Sequence, residues 1–224
     1  MRRLLLLLVL VCIATKVSAQ QDEKYYSIAD YYTELVDSYI LKTTDNKSLR
    51  PMMYEADPVL QTLNNIMALG KRVYNVVQEG KPNLSSTHST IRVVPVGTDT
   101  GNLVGWSNPN VRVYRVTFVN FYGVKVIQFL YRVYYVYNGR YQDKGQYLAG
   151  VEIVPSDISV LWGFYLNVNY SLVDIYNYGT IQNPVAGAVV QINYQVGGTI
   201  IPISLYDVTE RYLIKGDGNF SELK

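Results

Sequence analysis

The chain has 224 residues, of which 49 % are apolar, and it carries 20 basic and 18 acidic side chains for a net charge of +2. This apolar content is typical of a folded protein and excludes a disordered chain. A near-neutral charge without a long basic run excludes electrostatic binding of nucleic acid.

Residues 1–19 have the pattern of a secretory signal peptide. A basic start is followed by ten apolar residues, Leu4 to Ile13, and then by small residues that end at Ala19. The apolar run is shorter than the about 20 residues that a membrane-spanning helix needs. We therefore expect cleavage after Ala19 and a secreted protein, extracellular or, from a bacterial source, periplasmic. Residues 20–224 are expected to form a single domain.

Cleavage at this position changes both charge and cysteine content. Arg2, Arg3 and Lys16 are lost with no acidic residue, so the mature chain keeps 17 of 20 basic and all 18 acidic side chains, a net charge of −1. Cys12, the single cysteine of the chain, is lost too. The mature domain is therefore expected to have no disulfide, no thiolate metal site and no cysteine nucleophile.

The first part of the domain, about residues 22–80, predicts two amphipathic helices. Residues 22–42 place apolar or aromatic side chains at steps of three and four, which is a helical spacing. These side chains are Tyr25, Ile28, Tyr32, Leu35 and Tyr39.

The second predicted helix begins at Asp57 as N-cap and Pro58 as first residue, and it ends at Gly80 and Pro82. Its apolar stripe consists of Val59, Leu63, Ile66, Val73 and Val77.

From about residue 89 to 215, apolar side chains recur at every second residue, which indicates strands. The predicted strands are Val111 to Asn120, Val124 to Tyr137, Tyr147 to Val154, Ile158 to Leu172, Ala186 to Val196, Thr199 to Tyr206 and Arg211 to Ile214. Asn138 with Gly139 predicts a turn, and Pro155 the end of a strand. The expected fold class is α+β: a large curved antiparallel sheet, a sandwich or partly closed barrel, preceded by the two helices.

Catalytic motifs are weak in this sequence. His88 is expected in a polar loop, and Ser107 lacks the second glycine of a nucleophile elbow, where Pro109 stands instead. Three carboxylates, Glu152, Asp157 and Asp174, lie in or beside predicted strands, but spacing alone does not pair them for glycosidase chemistry. We therefore expect no enzyme and no catalytic residue.

Metal and cofactor motifs are also weak. One histidine without a usable cysteine argues against zinc, and no glycine loop has the spacing that binds phosphate. Acidic and polar residues near the C-terminus lack the glycine and final glutamate of a calcium loop, so we interpret them as a solvated tail. These are Asp217, Asn219, Ser221 and Glu222. We expect no metal and no cofactor.

Four Asn-x-Ser/Thr motifs are candidate N-glycosylation sites if the source is eukaryotic. They begin at Asn46, Asn83, Asn169 and Asn219. Asn46 and Asn83 are expected in loops and Asn219 in the tail, whereas Asn169 is expected on the polar face of a long strand.

The favoured hypothesis is a secreted, non-enzymatic interaction or structural protein of the extracellular space or matrix. Its 22 tyrosines are suited to contacts with a protein or a glycan, although they also fit the packing of a sheet. The alternative is a carrier of an apolar small molecule or lipid. A third hypothesis is a membrane-active hairpin formed by Ile158 to Leu172 with Ala186 to Val196. Self-association remains open, no helical transmembrane segment is expected after residue 19, and no motif identifies a family.

Overall fold

β-Strands make up most of the part of the chain that the structure describes. The structure is a computed structural model, and it describes residues 23–42, 59–70, 73–78, 81–83, 90–199 and 205–223. Of these residues, 71 % lie in strands and 4 % in short helical turns. The strands are β1 Ile28–Ile40, β2 Val59–Leu63, β3 Ile66–Leu69, β4 Val73–Gln78, β5 Lys81–Asn83, β6 Ile91–Pro95, β7 Asn110–Asn120, β8 Lys125–Tyr141, β9 Lys144–Val160, β10 Phe164–Asn177, β11 Ala186–Gly198, β12 Tyr206–Lys215 and β13 Phe220–Leu223.

The described strands form two antiparallel sheets. The larger sheet has the order β1-β7-β8-β9-β6-β3-β2, and the smaller has the order β13-β12-β11-β10-β4-β5. Chain neighbours β7, β8 and β9 pair directly, as do β10, β11, β12 and β13. Hairpins therefore build the centre of each sheet, while β1 and β13 lie at edges.

The two sheets pack face to face around an aromatic core. Tyr194 of the smaller sheet contacts Phe118 and Phe129 of the larger one, with ring centroids 6.0 and 5.4 Å apart. Tyr114 and Tyr212 pair across the sheets at 5.2 Å. Valine, isoleucine and leucine side chains fill the remaining space between the sheets. This is a β-sandwich, in which burial of one face of each sheet supplies the main stabilisation.

The predicted α+β class is wrong, because neither predicted helix forms. Residues 23–26 make one helical turn, and β1 then runs antiparallel to β7. Two bulges interrupt their register, between Ile28 and Asp30 and between Leu35 and Asp37. Each bulge adds one residue to the alternation, so inward side chains are spaced by two or three, and Tyr32 and Tyr39 of the predicted stripe lie on the outer face. The β-branched and aromatic residues of this segment favour the strand.

The second predicted helix is replaced by β2, β3, β4 and β5. Asn64 and Asn65 form the tight turn between β2 and β3, and Asn64 has a positive φ of 52°, which asparagine tolerates. Gly70 ends β3, and Pro82 lies in edge strand β5, where a missing N–H is tolerated. Asp57 and Pro58, the predicted cap, lie outside the described residues.

Three predicted boundaries among the later strands are also wrong. Strand β8 continues through Asn138 and Gly139 and turns only at Gln142 and Asp143. Strand β9 continues through Pro155, and the long predicted strand is broken by a turn at residues 161–163. Asn138 sits at a register irregularity and has φ 65°, so the motif that predicted a turn marks a distortion within the strand.

Candidate functional site

A cleft of about 590 Å³ opens between the edge strands of the two sheets. Strand β1 of the larger sheet forms one side, and strands β12 and β13 of the smaller sheet form the other. Its lining combines phenol rings, two carboxylates, an arginine and small hydroxyl groups. The lining residues are Tyr31, Tyr32, Thr33, Leu35, Tyr114, Thr209, Glu210, Arg211, Tyr212, Glu222 and Leu223.

Strand β1 directs three side chains towards the cleft from the inner face of its sheet. Tyr31, Thr33 and Leu35 pair with inner-face residues of β7, and the Tyr31 ring stacks on Phe118 at 5.4 Å. Tyr31 and Leu35 nevertheless remain 37 % and 48 % exposed. The apolar face of the sheet therefore continues into the cleft.

Glu210 lies at the base of the cleft and accepts hydrogen bonds from three phenols. Its Oε1 atom accepts from Tyr194 at 2.7 Å, and its Oε2 atom accepts from Tyr212 at 3.1 Å and from Tyr131. The hydroxyls of Tyr131 and Tyr212 also contact each other. Tyr131 belongs to the larger sheet and the other residues to the smaller, so this cluster joins the two sheets.

A second carboxylate, Glu222 of β13, also bonds across the sheets. Its Oε1 atom accepts a hydrogen bond of 2.9 Å from the hydroxyl of Tyr114 in β7. The neighbouring Phe220 anchors β13, because its ring packs on Tyr212 and lies 4.2 Å from the guanidinium carbon of Arg112.

The phenols of the cleft are strongly held in their protonated form. Burial raises the pKa of Tyr131, Tyr194 and Tyr212 well above the ordinary value, and the Glu210 carboxylate raises it further. Burial and the bond to Glu222 raise the pKa of Tyr114 in the same direction. At neutral pH these hydroxyls are therefore donors to the two carboxylates.

Each phenol has one proton to donate, and the bonds just described use those protons within the protein. The four phenols in these bonds, Tyr114, Tyr131, Tyr194 and Tyr212, and the two carboxylates therefore have only lone pairs left to offer a ligand. Arg211 also borders the cleft, and its Nε atom donates to the Gln191 side chain at 3.4 Å. A ligand would find rings for apolar contact and acceptors for its own hydroxyl or amino groups.

The candidate residues from the sequence lie elsewhere. His88 is outside the described residues. Ser107 accepts the backbone N–H of Tyr137 and donates to the Asn108 carbonyl, while the ring of the preceding tryptophan packs on Gly139. Ser107 therefore lies in a connecting segment that the tryptophan ring anchors, and not in a nucleophile elbow.

The three candidate carboxylates are spread over two strands. Glu152 and Asp157 lie in β9, and Asp174 lies in β10. The Asp157 carboxylate is 3.6 Å from Arg132, and Asp174 accepts the backbone N–H of Ile175. No group of three or more His, Cys, Asp or Glu side chains suited to a metal occurs within the described part of the chain.

The glycosylation motifs occupy different surroundings, and their use stays a prediction. Asn46 lies outside the described residues, and Asn83 lies in β5 instead of a loop. The Asn169 amide is half-buried and donates to the Asn193 side chain at 3.2 Å. Asn219 is exposed in the β12–β13 turn, where its amide donates to Asp217.

The sequence interpretation missed both glutamates of the cleft. Glu210 shares the inward face of β12 with Val208 and Tyr212. A carboxylate in such an apolar row needs hydrogen-bond partners, and this pattern in the sequence could have indicated Glu210 as a candidate site residue. Glu222 was assigned to a solvated tail, but β13 pairs with β12 over residues 220–223. Nothing in the sequence indicated its bond to Tyr114, since these residues are 108 positions apart.

Comparisons of the chain with protein-family models, with curated proteins and with solved structures found no significant match. Among the described residues, no helix has the length and apolar character needed to cross a membrane.

Proposed function

We propose that this protein is a secreted, non-enzymatic interaction protein and that its cleft binds a glycan. The observation that carries the proposal is the open cleft in which phenol rings and hydrogen-bond acceptors face the same space. Sugars present apolar ring faces together with several hydroxyl donors, and this combination matches the lining. A volume of about 590 Å³ is within the range of small-molecule sites.

The lining favours a hydroxylated ligand over a purely apolar one. Glu210, Arg211 and Glu222 would lose hydrogen bonds to water beneath a lipid that offers no replacement. This cost makes the apolar carrier a weaker candidate for the cleft. The hairpin hypothesis is weaker too, because Phe164, Leu166 and Ile192 are 0 % exposed within the sandwich and would have to leave it for a bilayer.

The division of the tyrosines between core and surface also agrees with ligand contacts made by tyrosine rings. Among the 20 tyrosines whose side-chain exposure the structure describes, seven are buried, seven are exposed and six lie between these classes. Tyrosine therefore serves both the core and the surface, and the exposed rings include Tyr31 and Tyr32 at the cleft.

The test is retention of the protein on an array of immobilised oligosaccharides, followed by calorimetry with the retained sugar. Glu222→Gln keeps the side-chain shape but replaces one acceptor oxygen by a donor, and it should weaken binding about tenfold. Asp143→Asn makes the same change at an exposed turn outside the cleft and should leave binding unchanged. The proposal fails if no sugar is retained, or if both variants bind as the original protein does.

A further inference from the structure

One end of the sandwich carries a cluster of exposed apolar side chains at adjacent turns. The cluster, which we call the aromatic tip, consists of Tyr25, Phe121, Tyr122, Val124, Leu161 and Trp162. Phe121 is 60 % and Trp162 71 % exposed. Turns of this kind are normally built from small and polar residues, so large rings here need a reason beyond turn geometry.

The turns of the aromatic tip are held in place by the fold. The Asn120 side chain accepts the backbone N–H groups of Tyr122 and Val124, each at 3.0 Å, and donates to the Tyr25 carbonyl at 3.0 Å. These bonds join the β7–β8 turn to the segment before β1.

The β9–β10 turn is fixed beside it. The backbone N–H of Leu161 donates to the Val126 carbonyl at 2.9 Å, and the Trp162 ring meets the edge of Tyr26 at 5.9 Å. The exposed rings therefore project from neighbouring, hydrogen-bonded segments at one end of the sandwich.

Among the described residues at and next to the aromatic tip, the exposed charges are two lysines and one glutamate, Glu23. Lys24 and Lys125 are exposed and directly adjoin Tyr25 and Val124 in the chain. The described turns at residues 121–124 and 161–163 contain no acidic side chain. Tryptophan and tyrosine concentrate at the headgroup level of membranes, and lysines nearby are attracted to anionic lipid.

We propose that the aromatic tip docks this protein on the surface of an anionic phospholipid bilayer. Trp162 and Phe121 enter the headgroup region, while Lys24 and Lys125 contact lipid phosphate and carboxylate groups. A second copy of the chain fits the tip less well, because contact between two tips would bring their lysines together. The docking leaves the sandwich folded, and it does not depend on the glycan proposal, since no residue of the aromatic tip lines the cleft.

The experiment is flotation of the whole protein with phosphatidylcholine vesicles that contain either no phosphatidylserine or about 30 % of it. The protein should float with the anionic vesicles. The double variant Trp162→Ser with Phe121→Ser should lower the partition coefficient about tenfold or more. Ile181→Ser is the matched control, because Ile181 is 67 % exposed on the β10–β11 connection at the far end of β10, and it should float as the original does.

Substitution of the two lysines is a second, independent test of the proposal. Lys24→Gln and Lys125→Gln should each lower partition into anionic vesicles about fivefold and leave partition into neutral vesicles unchanged. The proposal is overturned if the original protein does not float, if the double variant floats equally well, or if Ile181→Ser loses as much binding.

Fluorescence tests whether the tip is free to dock. The chain has two tryptophans, so a Trp106→Phe variant reports on Trp162 alone. Its emission should be readily quenched by acrylamide in solution and should shift to the blue when anionic vesicles are added. Emission already shifted and protected without lipid would mean that another part of the chain or a second copy covers the tip, and would overturn the proposal.

Discussion

Alkaline pH is expected to unfold this protein over a narrow range. Burial raises the pKa of five phenols well above the ordinary value, those of Tyr114, Tyr131, Tyr170, Tyr194 and Tyr212. In the unfolded chain the same groups ionise near a pH of about 10. Below that pH both states are protonated and the full stability is present. Above it the unfolded state binds fewer protons, so the free energy of unfolding falls as pH rises.

The slope follows from the number of phenols. Each proton that only the folded state retains costs about 1.4 kcal/mol per pH unit above the unfolded pKa. Five phenols together give a slope of about 7 kcal/mol per pH unit. A domain with a stability of about 5–15 kcal/mol would therefore unfold about one to two units above pH 10.

The assay is urea unfolding between about pH 8 and 11, together with phenolate absorbance during an alkaline titration. Tyr170→Phe should reduce the slope by about 1.4 kcal/mol per pH unit. Val133→Ala removes buried apolar volume without a phenol, so it should lower stability at every pH and keep the slope. The reasoning is refuted if every tyrosine ionises near pH 10 while the circular dichroism stays native.

Three further predictions each concern one residue. Glu210→Gln should lower the free energy of unfolding by about 2–4 kcal/mol. A double-mutant cycle with Tyr194→Phe, measured by urea unfolding, should give a coupling energy of about 1–2 kcal/mol, and additive effects would contradict the hydrogen-bond cluster. Gly216→Ala places a Cβ 2.0 Å from a backbone carbonyl oxygen and should lower the free energy of unfolding by about 3 kcal/mol or more. Gly101→Ala is the control, because its Cβ meets nothing within 4 Å, and equal thermal midpoints of the two variants would contradict this prediction. Asp37→Val removes a charge from edge strand β1, where a charge opposes pairing with the edge of another copy. Sedimentation should therefore show more self-association, and unchanged sedimentation would mean that Asp37 does not protect this edge.

Two inner strands, β7 and β11, were the most predictable part of this fold. Strands β7 and β11 coincide with the predicted runs to within two residues at each end. Both runs are rich in β-branched and aromatic residues and pair with chain neighbours, so local composition and long-range structure agree. The β-rich, tyrosine-rich character was predictable for the same reason.

The edge strand β1 was not predictable by period alone. Its bulges at Ala29 and Val36 shift the inward face twice, so a period of two is not kept along the strand, and the predicted helical stripe joins Leu35 of the inner face with Tyr32 and Tyr39 of the outer face. The composition of this segment favours a strand, since Tyr31, Tyr32 and Thr33 stand in a row, whereas its spacing of three and four predicts a helix. The cleft required a contact between β1 and the last two strands, and such a contact depends on sheet order that spacing does not encode.

The hydrogen bonds at the cleft have a mechanical consequence. Tyr131 to Glu210, Thr33 to Tyr194 and Tyr114 to Glu222 each join one sheet to the other. Dispersion contacts have little directionality, so sheets held by them alone can slide slightly at small cost, whereas hydrogen bonds weaken steeply when misaligned. These three links oppose shear at the open side of the sandwich and set the width of the mouth. A ligand would meet a preformed opening and would lose little affinity to ordering it.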